Sequence, residues 1–273
     1  MTTNAASAGQ VSKSAAEIYD EFFVPALFGP WAGPLCDAVG VGSGQDVLDI
    51  ACGTGATTRE AAERVGPGGR VVGLDRNRGM LDVARRRAPD MEWIEGLAEA
   101  LPFAGGAFDR VLCQFALMFF DQQPKALAEM ARVVRPSGRI ALTVWDDVAR
   151  SPGYAGMIEL IQEMFGRDAA DALRAPFVLG DKSVLLRVLE DGGLAGAELT
   201  SVAGTARFAS IRDWVRTDVR GWTLGDFMGD AGFEALVAAA EQRLKGFAAS
   251  DGSVAFPAPA HVVVWRRKSE EHG

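Results

Sequence analysis

The chain has 273 residues, 48% of them apolar, enough for one large domain with a substantial core and too much for a disordered, collagenous or coiled-coil protein. Its 28 Lys and Arg against 36 Asp and Glu leave a net charge of −8 at pH 7, which sets nucleic acid aside as a partner, because a phosphate backbone is gripped by cationic surface. Cys36, Cys52 and Cys113 are scattered and only His261 and His272 could join them, so neither a disulfide framework nor a metal site is expected, and a cytoplasmic setting fits.

Residues 1–11 are small and polar, without a basic patch leading into an apolar run, and the densest apolar stretch, Val111 to Phe120, is short and interrupted by Gln114. Neither a signal peptide nor a membrane span is predicted. Ser14 and Glu17 have capping-box spacing, and Ala15, Ile18, Tyr19, Phe22 and Phe23 fall on one face of a first helix that Val24-Pro25 should stop. Short β-branched runs then alternate with helical patterns. Val47 to Ile50, Arg70 to Leu74, Met91 to Glu95, Arg110 to Gln114 and Arg139 to Val144 read as strands. Between them, Thr57 to Val65, Gly79 to Arg87 and Pro124 to Val134 read as helices.

This alternation calls for right-handed crossovers and an α/β, Rossmann-like, mostly parallel sheet with helices on both faces and ligands at the carboxyl ends of the strands. Past Trp145 the rhythm breaks. Gly153 to Gly166, Asp168 to Arg174 and Lys182 to Glu190 are helical, Ala197 to Thr205 is a candidate strand, Ser210 to Gly246 holds two more helical patterns, and Val262 to Trp265 reads as a last strand. The expected organisation is an N-terminal helical cap (1–45), a cofactor-binding core (46–145), and the rest of the same domain (146–273) with a helical lid insertion at about 206–250.

The most informative segment is Val47-Leu48-Asp49-Ile50-Ala51-Cys52-Gly53-Thr54-Gly55, a strand running into a glycine turn and then a helix. The glycines let the backbone turn tightly and approach a ligand, and the helix start presents unpaired N–H groups. A dinucleotide fingerprint would want a third glycine at Thr58 and no carboxylate at Asp49; an acid beside the loop suits a cationic ligand and repels phosphate. The second strand ends in Asp75, where a carboxylate can accept both hydroxyls of a ribose, and Met80 follows at the next helix start, where a thioether can cover an adenine face.

These residues resemble the class I S-adenosylmethionine-dependent methyltransferases from about Asp46 to Trp145, with Asp-x-Ala-Cys-Gly-Thr-Gly, Asp75, Gly96-Leu97-Ala98-Glu99-Ala100-Leu101-Pro102-Phe103, Phe108 to Gln114, and Glu129 to Arg139 in the family's order. Within that superfamily it looks like the branch containing quinone-ring C-methyltransferases and many small-molecule methyltransferases. The resemblance implies a seven-stranded sheet with the last strand antiparallel and methyl transfer from S-adenosylmethionine, leaving S-adenosylhomocysteine, to an O or C atom of a small, largely apolar acceptor that is aromatic, quinone-like or a natural product. It implies that Asp49 and the backbone of Ala51 hold the ammonium, that Gly53 and Gly55 lie under sulfonium and ribose, and that Asp75 binds the ribose. Arg76 and Met80 would flank adenine, and Gln114 would face the methionyl end through its backbone. The family's adenine-binding acid is replaced here by Leu97, which moves that contact to the Ala98 backbone or the Glu99 side chain.

Tyr19, Phe22 and Phe23 either belong to the core or close the first helix over the methionine pocket. Phe115, Phe119 and Trp145, after the fourth and fifth strands, are candidates for the acceptor wall, while Trp214, Trp222, Phe227 and Met228 are either lid or the lid's own core. His261 is expected to be an ordinary hydrogen-bonded histidine, Asp109 structural, and the pairs Asp20-Glu21 and Asp146-Asp147 surface. The tail from Arg266 to Glu271 should be solvated. No catalytic base is identified. The rival readings are an NAD(P)-dependent dehydrogenase and a non-catalytic nucleoside-sensing module; the protein is expected to be a monomer or homodimer.

Overall fold

The computed structural model describes residues 13–220, 224 and 228–267; the Ser14 side chain, Trp222, Phe227 and His272 lie outside the described residues. Five strands, β1 (Asp46–Ile50), β2 (Arg70–Asp75), β3 (Glu92–Glu95), β4 (Phe108–Gln114) and β5 (Val134–Trp145), alternate with α3 (Ala56–Val65), α4 (Arg78–Arg87) and α5 (Gln123–Val133). Strands β6 (Glu198–Val202) and β9 (Ala260–Arg266) complete a seven-stranded sheet of order β3-β2-β1-β4-β5-β9-β6, in which only β9 runs antiparallel to its neighbours. The expected Rossmann-like sheet with an antiparallel last strand is therefore present. Val47, Leu48, Val72, Leu112 and Ile140 are fully buried, as strands covered by helices on both faces require. Chain order reverses between β1 and β4, so a crevice opens at their carboxyl ends.

The N-terminal cap differs from expectation. Helix α1 (Lys13–Ile18) does not stop at Val24-Pro25 but continues as a π-helical stretch, Tyr19–Phe28, into α2 (Gly29–Val39). The wide turn, in which the Gly29 N–H donates to the Val24 carbonyl, makes room for the Pro25 ring that would clash in an α-helix. Ala15–Val39 is long and apolar enough to cross a membrane, but Leu27, Trp31, Leu35 and Val39 bury that apolar face in the core. The cap is pinned to α4 by Arg86 on Glu17 (2.8 Å) and Arg87 on Asp20 (2.7 Å). Asp20 is thus buried rather than a surface residue, and Asp146 likewise lies buried against Arg150 and His261 while its neighbour Asp147 is exposed. Each adjacent pair splits its two carboxyls between protein and solvent.

After β5 come α6 (Pro152–Phe165), α7 (Arg167–Arg174) and α8 (Lys182–Asp191), then α9 (Ile211–Arg220) and α10 (Asp230–Arg243). The single strand expected over Ala197 to Thr205 is broken at residues 203–204. There the chain leaves the main sheet to form β7 (Thr205–Phe208), which pairs with β8 (Val254–Pro257) in a two-stranded ribbon. The insertion expected to be helical therefore carries a β-ribbon at its base. Trp214 is fully buried in its core, 4.5 Å from Phe256 and 5.7 Å from Phe208 between ring centroids, and Met228 is also buried. In the first turn of α6, position 153 is glycine where a Cβ would come within 2.5 Å of the Phe256 ring. Arg267 is not a solvated tail residue; its guanidinium donates to the Ala131 and Val134 carbonyls and satisfies the end of α5. Val134 itself starts β5 rather than ending that helix.

Candidate functional site

The glycine turn leaves β1 with Ala51 and Gly53 in left-handed backbone, at φ of 54° and 57°. That bend turns the Gly53 N–H onto Asp75 Oδ2 (2.8 Å), and Asp75 Oδ1 accepts the Asn77 N–H (2.7 Å). Asn77 in turn caps α4 by accepting the Met80 N–H (3.2 Å). One carboxylate therefore fixes the glycine turn and the start of α4 relative to each other, and each of its oxygens keeps a lone pair for a ligand.

Asp49 is 1% exposed. Its Oδ2 accepts the Thr58 hydroxyl at 2.6 Å, while Oδ1 has no hydrogen-bond partner. Thr58 stands where a dinucleotide loop would place its third glycine, and here its hydroxyl orients the acid. Gln114 donates to the Phe28 carbonyl (3.0 Å) and leaves its own Oε1 buried and unpartnered, as is Thr54 Oγ1. Asp49, Thr54 and Gln114 all line one small cavity under Tyr19 and Phe28. Three unsatisfied oxygens around one space are what a group rich in N–H donors requires. Burial pushes the Asp49 carboxyl up to about 7, against the Thr58 hydrogen bond and with help from the charge of Asp75; burial raises Asp75 too, against the Asn77 and Gly53 N–H groups and Arg76. A cation entering here would relieve both.

Beside this space lies a larger cavity of about 1180 Å³ including its open mouth. Ala51, Gly53, Asp75, Arg76, Met80, Ala98 and Gln114 all line it, with Tyr19 between the two spaces. Glu99 also reaches it, but its Oε1 already accepts the Asp121 N–H at 3.1 Å. Two expected residues stand apart. The Leu97 side chain is 49% exposed, and only its neighbours Gly96 and Ala98 reach the cavity. Gly55, at φ 83°, caps α3 against Trp93, whose ring a Cβ would meet at 2.2 Å, so its place is one of close packing behind the cavity wall.

A row of aromatic contacts leads away from the glycine turn. Tyr19 stacks on Phe28 (5.3 Å), Phe28 meets Phe115 and Trp145 (5.6 and 6.0 Å), Trp145 meets Phe177 (6.4 Å), and Phe177 meets Tyr154 (5.5 Å). Phe115 and Trp145 stack at 3.9 Å, and Phe115 holds a φ of 51°, strained for a bulky residue, with its N–H donated to the Thr143 carbonyl at 3.0 Å. Phe115, Phe119 and Trp145 line the cavity, and Tyr19 and Phe28 form its roof over the turn. Phe23 lines it too and is buried in the core, so at Phe23 the two roles coincide, whereas Phe22 does neither and faces the Arg216 guanidinium, 4.8 Å from its ring.

The chain beyond β5 also supplies wall residues that no motif marks: Tyr154 from α6, Leu173 from α7, Pro176 and Phe177 after it, and Asp218 from α9. Their only sequence signal is an acid on an otherwise apolar helix face. His261 lies elsewhere and is fully buried. Its Nε2 donates to the Gly180 carbonyl (2.8 Å), which leaves Nδ1 to accept from Ser201 (3.0 Å). Asp109, at the opposite end of the sheet, accepts the Asp46 N–H (2.8 Å) and pairs with Arg135 (2.6 Å), a structural role as expected. Among the described residues no cluster of three His, Cys, Asp or Glu could hold a metal ion.

Residues 47–138 match the family described as methyltransferase domain. Demethylmenaquinone methyltransferase from Renibacterium salmoninarum is 46% identical over 112 residues, 41% of this chain and 46% of that one. The match thus spans about half the length of that relative. Ubiquinone/menaquinone biosynthesis C-methyltransferase from Bordetella parapertussis is 31% identical over 223 residues, 76% of this chain and 86% of that one. Phosphoethanolamine N-methyltransferase 2 from Haemonchus contortus, solved with S-adenosyl-L-methionine, shares the fold at a TM-score of 0.60 and 16% identity, covering 97% of this chain and 59% of that one. The glycine turn, the paired acids and a likeness over three quarters of the chain together place it: it belongs to the class I S-adenosylmethionine-dependent methyltransferases and is similar to the quinone C-methyltransferases.

Proposed function

We propose that this protein transfers a methyl group from S-adenosylmethionine to an O or C atom of a small, largely apolar acceptor of aromatic, quinone-like type. The observation that carries this is the unpartnered Asp49 Oδ1, buried with Gln114 Oε1 and Thr54 Oγ1 around a cavity beside the glycine turn. Those three acceptors match an ammonium and repel a pyrophosphate, which sets the dehydrogenase reading behind. When bound, the cofactor supplies a methyl group already activated by a sulfonium.

The residues then divide the work. Asp49, Gln114 and the Ala51 backbone hold the amino-acid end, and Asp75 takes the ribose hydroxyls through its remaining lone pairs. Met80 and Arg76 flank the base, with Ala98 at its edge. Tyr19 and Phe28 exclude water above the turn, and Phe115, Phe119 and Trp145 keep the far side apolar. A dry wall favours a step that disperses charge, and fixed geometry removes the entropic cost of bringing the reactants together. Incubation with methyl-labelled cofactor and a naphthohydroquinone should place label in the extracted product. Heat of binding with a pyridine dinucleotide but none with S-adenosylhomocysteine would overturn the assignment.

A pH dependence follows from Asp49. A carboxyl whose folded value is raised from 3.8 to about 7 favours the folded state at low pH, and that contribution is lost as pH rises through about 7. The ammonium needs the ionised form, so binding must expel the proton below that pH. Affinity for S-adenosylhomocysteine should rise about tenfold per pH unit from 5 to 7 and then level, and the stabilisation it gives in thermal melts should grow alongside. A flat profile would show that Asp49 does not meet the ammonium.

A further inference from the structure

Helix α9 presents one carboxyl group to the far end of the aromatic row. Asp218 is 2% exposed and lines the cavity, and neither of its oxygens completes a hydrogen bond. The Tyr154 hydroxyl and the Trp214 indole N–H stand beside it, and Trp214 Nε1 also lacks a partner. The surrounding wall is apolar: Trp145, Leu173, Pro176 and Phe177. Helix α9 is held by the buried Ile211, Trp214 and Val215 and by the Arg212–Glu234 pair at 2.8 Å. A buried carboxyl without a partner costs stability, and where it faces a cavity the missing partner belongs to the cavity's ligand.

Resting on the reading of this cavity as the acceptor site, we propose that Asp218, with Tyr154 beside it, positions the acceptor by hydrogen-bonding a hydroxyl on its ring, so that the acceptor class is a planar apolar ring system bearing a hydroxyl. Burial holds Asp218 well above the usual carboxylate range, with the Trp214 and Tyr154 hydrogens opposing; the neutral acid can both give and accept one hydrogen bond with a hydroxyl. A ring without that hydroxyl leaves the acid buried and unpaired, and sites built to pair a hydroxyl reject such analogues strongly. Asp218 is in this account a positioning residue, acting on where the ring lies along the cavity wall that Trp145 and Phe177 help to form.

The test is calorimetry with 1-naphthol and naphthalene as probes, with and without S-adenosylhomocysteine, on the wild type, Asp218→Leu, Asp218→Asn and Tyr154→Phe. The wild type should bind 1-naphthol at least about tenfold more tightly than naphthalene. Asp218→Leu should abolish that preference while leaving naphthalene and S-adenosylhomocysteine binding intact, Asp218→Asn should retain part of it, and Tyr154→Phe should reduce it. An unchanged preference in Asp218→Leu, or no preference in the wild type, would overturn the proposal. Absence of S-adenosylhomocysteine binding with the naphthol preference intact would strike the cofactor assignment and leave this one standing.

Discussion

Asp75→Ala is expected to weaken binding of S-adenosylhomocysteine by about 100-fold or more. Two hydrogen bonds from ribose hydroxyls to a carboxylate account for about 1.5–3 kcal/mol, or roughly 10- to 150-fold. The same side chain accepts the N–H groups of Gly53 and Asn77, so its loss also frees the glycine turn and the entry to α4, and the backbone that should lie under the ligand becomes mobile. Asp75→Asn separates these effects. Its amide oxygen can still take one of the two N–H groups, so the turn is partly kept while ribose recognition falls. Titration calorimetry reads both, and a folded Asp75→Ala variant with wild-type affinity would remove the ribose assignment.

Gly55→Ala is expected to lower stability by about 2–5 kcal/mol, which is a fall of roughly 5–20 °C in melting temperature for a chain of this class. Two causes add. A φ of 83° costs an L side chain about 1–2 kcal/mol, and the new methyl would sit 2.2 Å from the Trp93 ring and force overpacking of about 1–3 kcal/mol. The indole cannot swing aside freely, because its N–H donates to the Ala88 carbonyl at 2.9 Å and its other edge fills the space over Gly73. The Gly55→Ala, Trp93→Leu double variant should regain the packing part and keep the backbone part, a coupling that a double-mutant cycle in thermal or urea unfolding measures. Equal losses in the presence and absence of Trp93 would show that the left-handed turn alone demands glycine.

Period and punctuation made the first five strands and three intervening helices legible, because each strand is a buried run bounded by a turn. The meeting of Asp49, Gly53 and Asp75 at one crevice was equally plain, since their placement is local to strand ends. The π-helical stretch was not, because a proline in an apolar helical pattern carries the usual meaning of a stop, and only the seating of Leu27, Trp31 and Leu35 in the core lets the widened turn persist. Likewise Gly55 reads as a ligand glycine until Trp93, on β3, is seen to fill the space above it. Asp20 and Asp146 looked solvated because their partners, Arg87 and His261, are remote in sequence. Asp218 belongs to the same class of hidden residue: its importance depends on which helix face meets the crevice, and a lone acid in an amphipathic segment gives no sign of that.

The two ends of the cavity come from different stretches of chain. Residues 47–138, the part that matches the methyltransferase domain, contain the acids, the glycine turn, Met80, Ala98 and Gln114, but stop before Trp145, Tyr154, Phe177 and Asp218. Under the proposed assignment, a shared nucleoside module that also brings Phe115 and Phe119 is joined by further acceptor-wall residues encoded after it. On that assignment, substitutions in α6, α7 and α9 should diversify what is methylated without disturbing the donor, and grafting those helices onto a related scaffold should transplant substrate choice while cofactor affinity stays put.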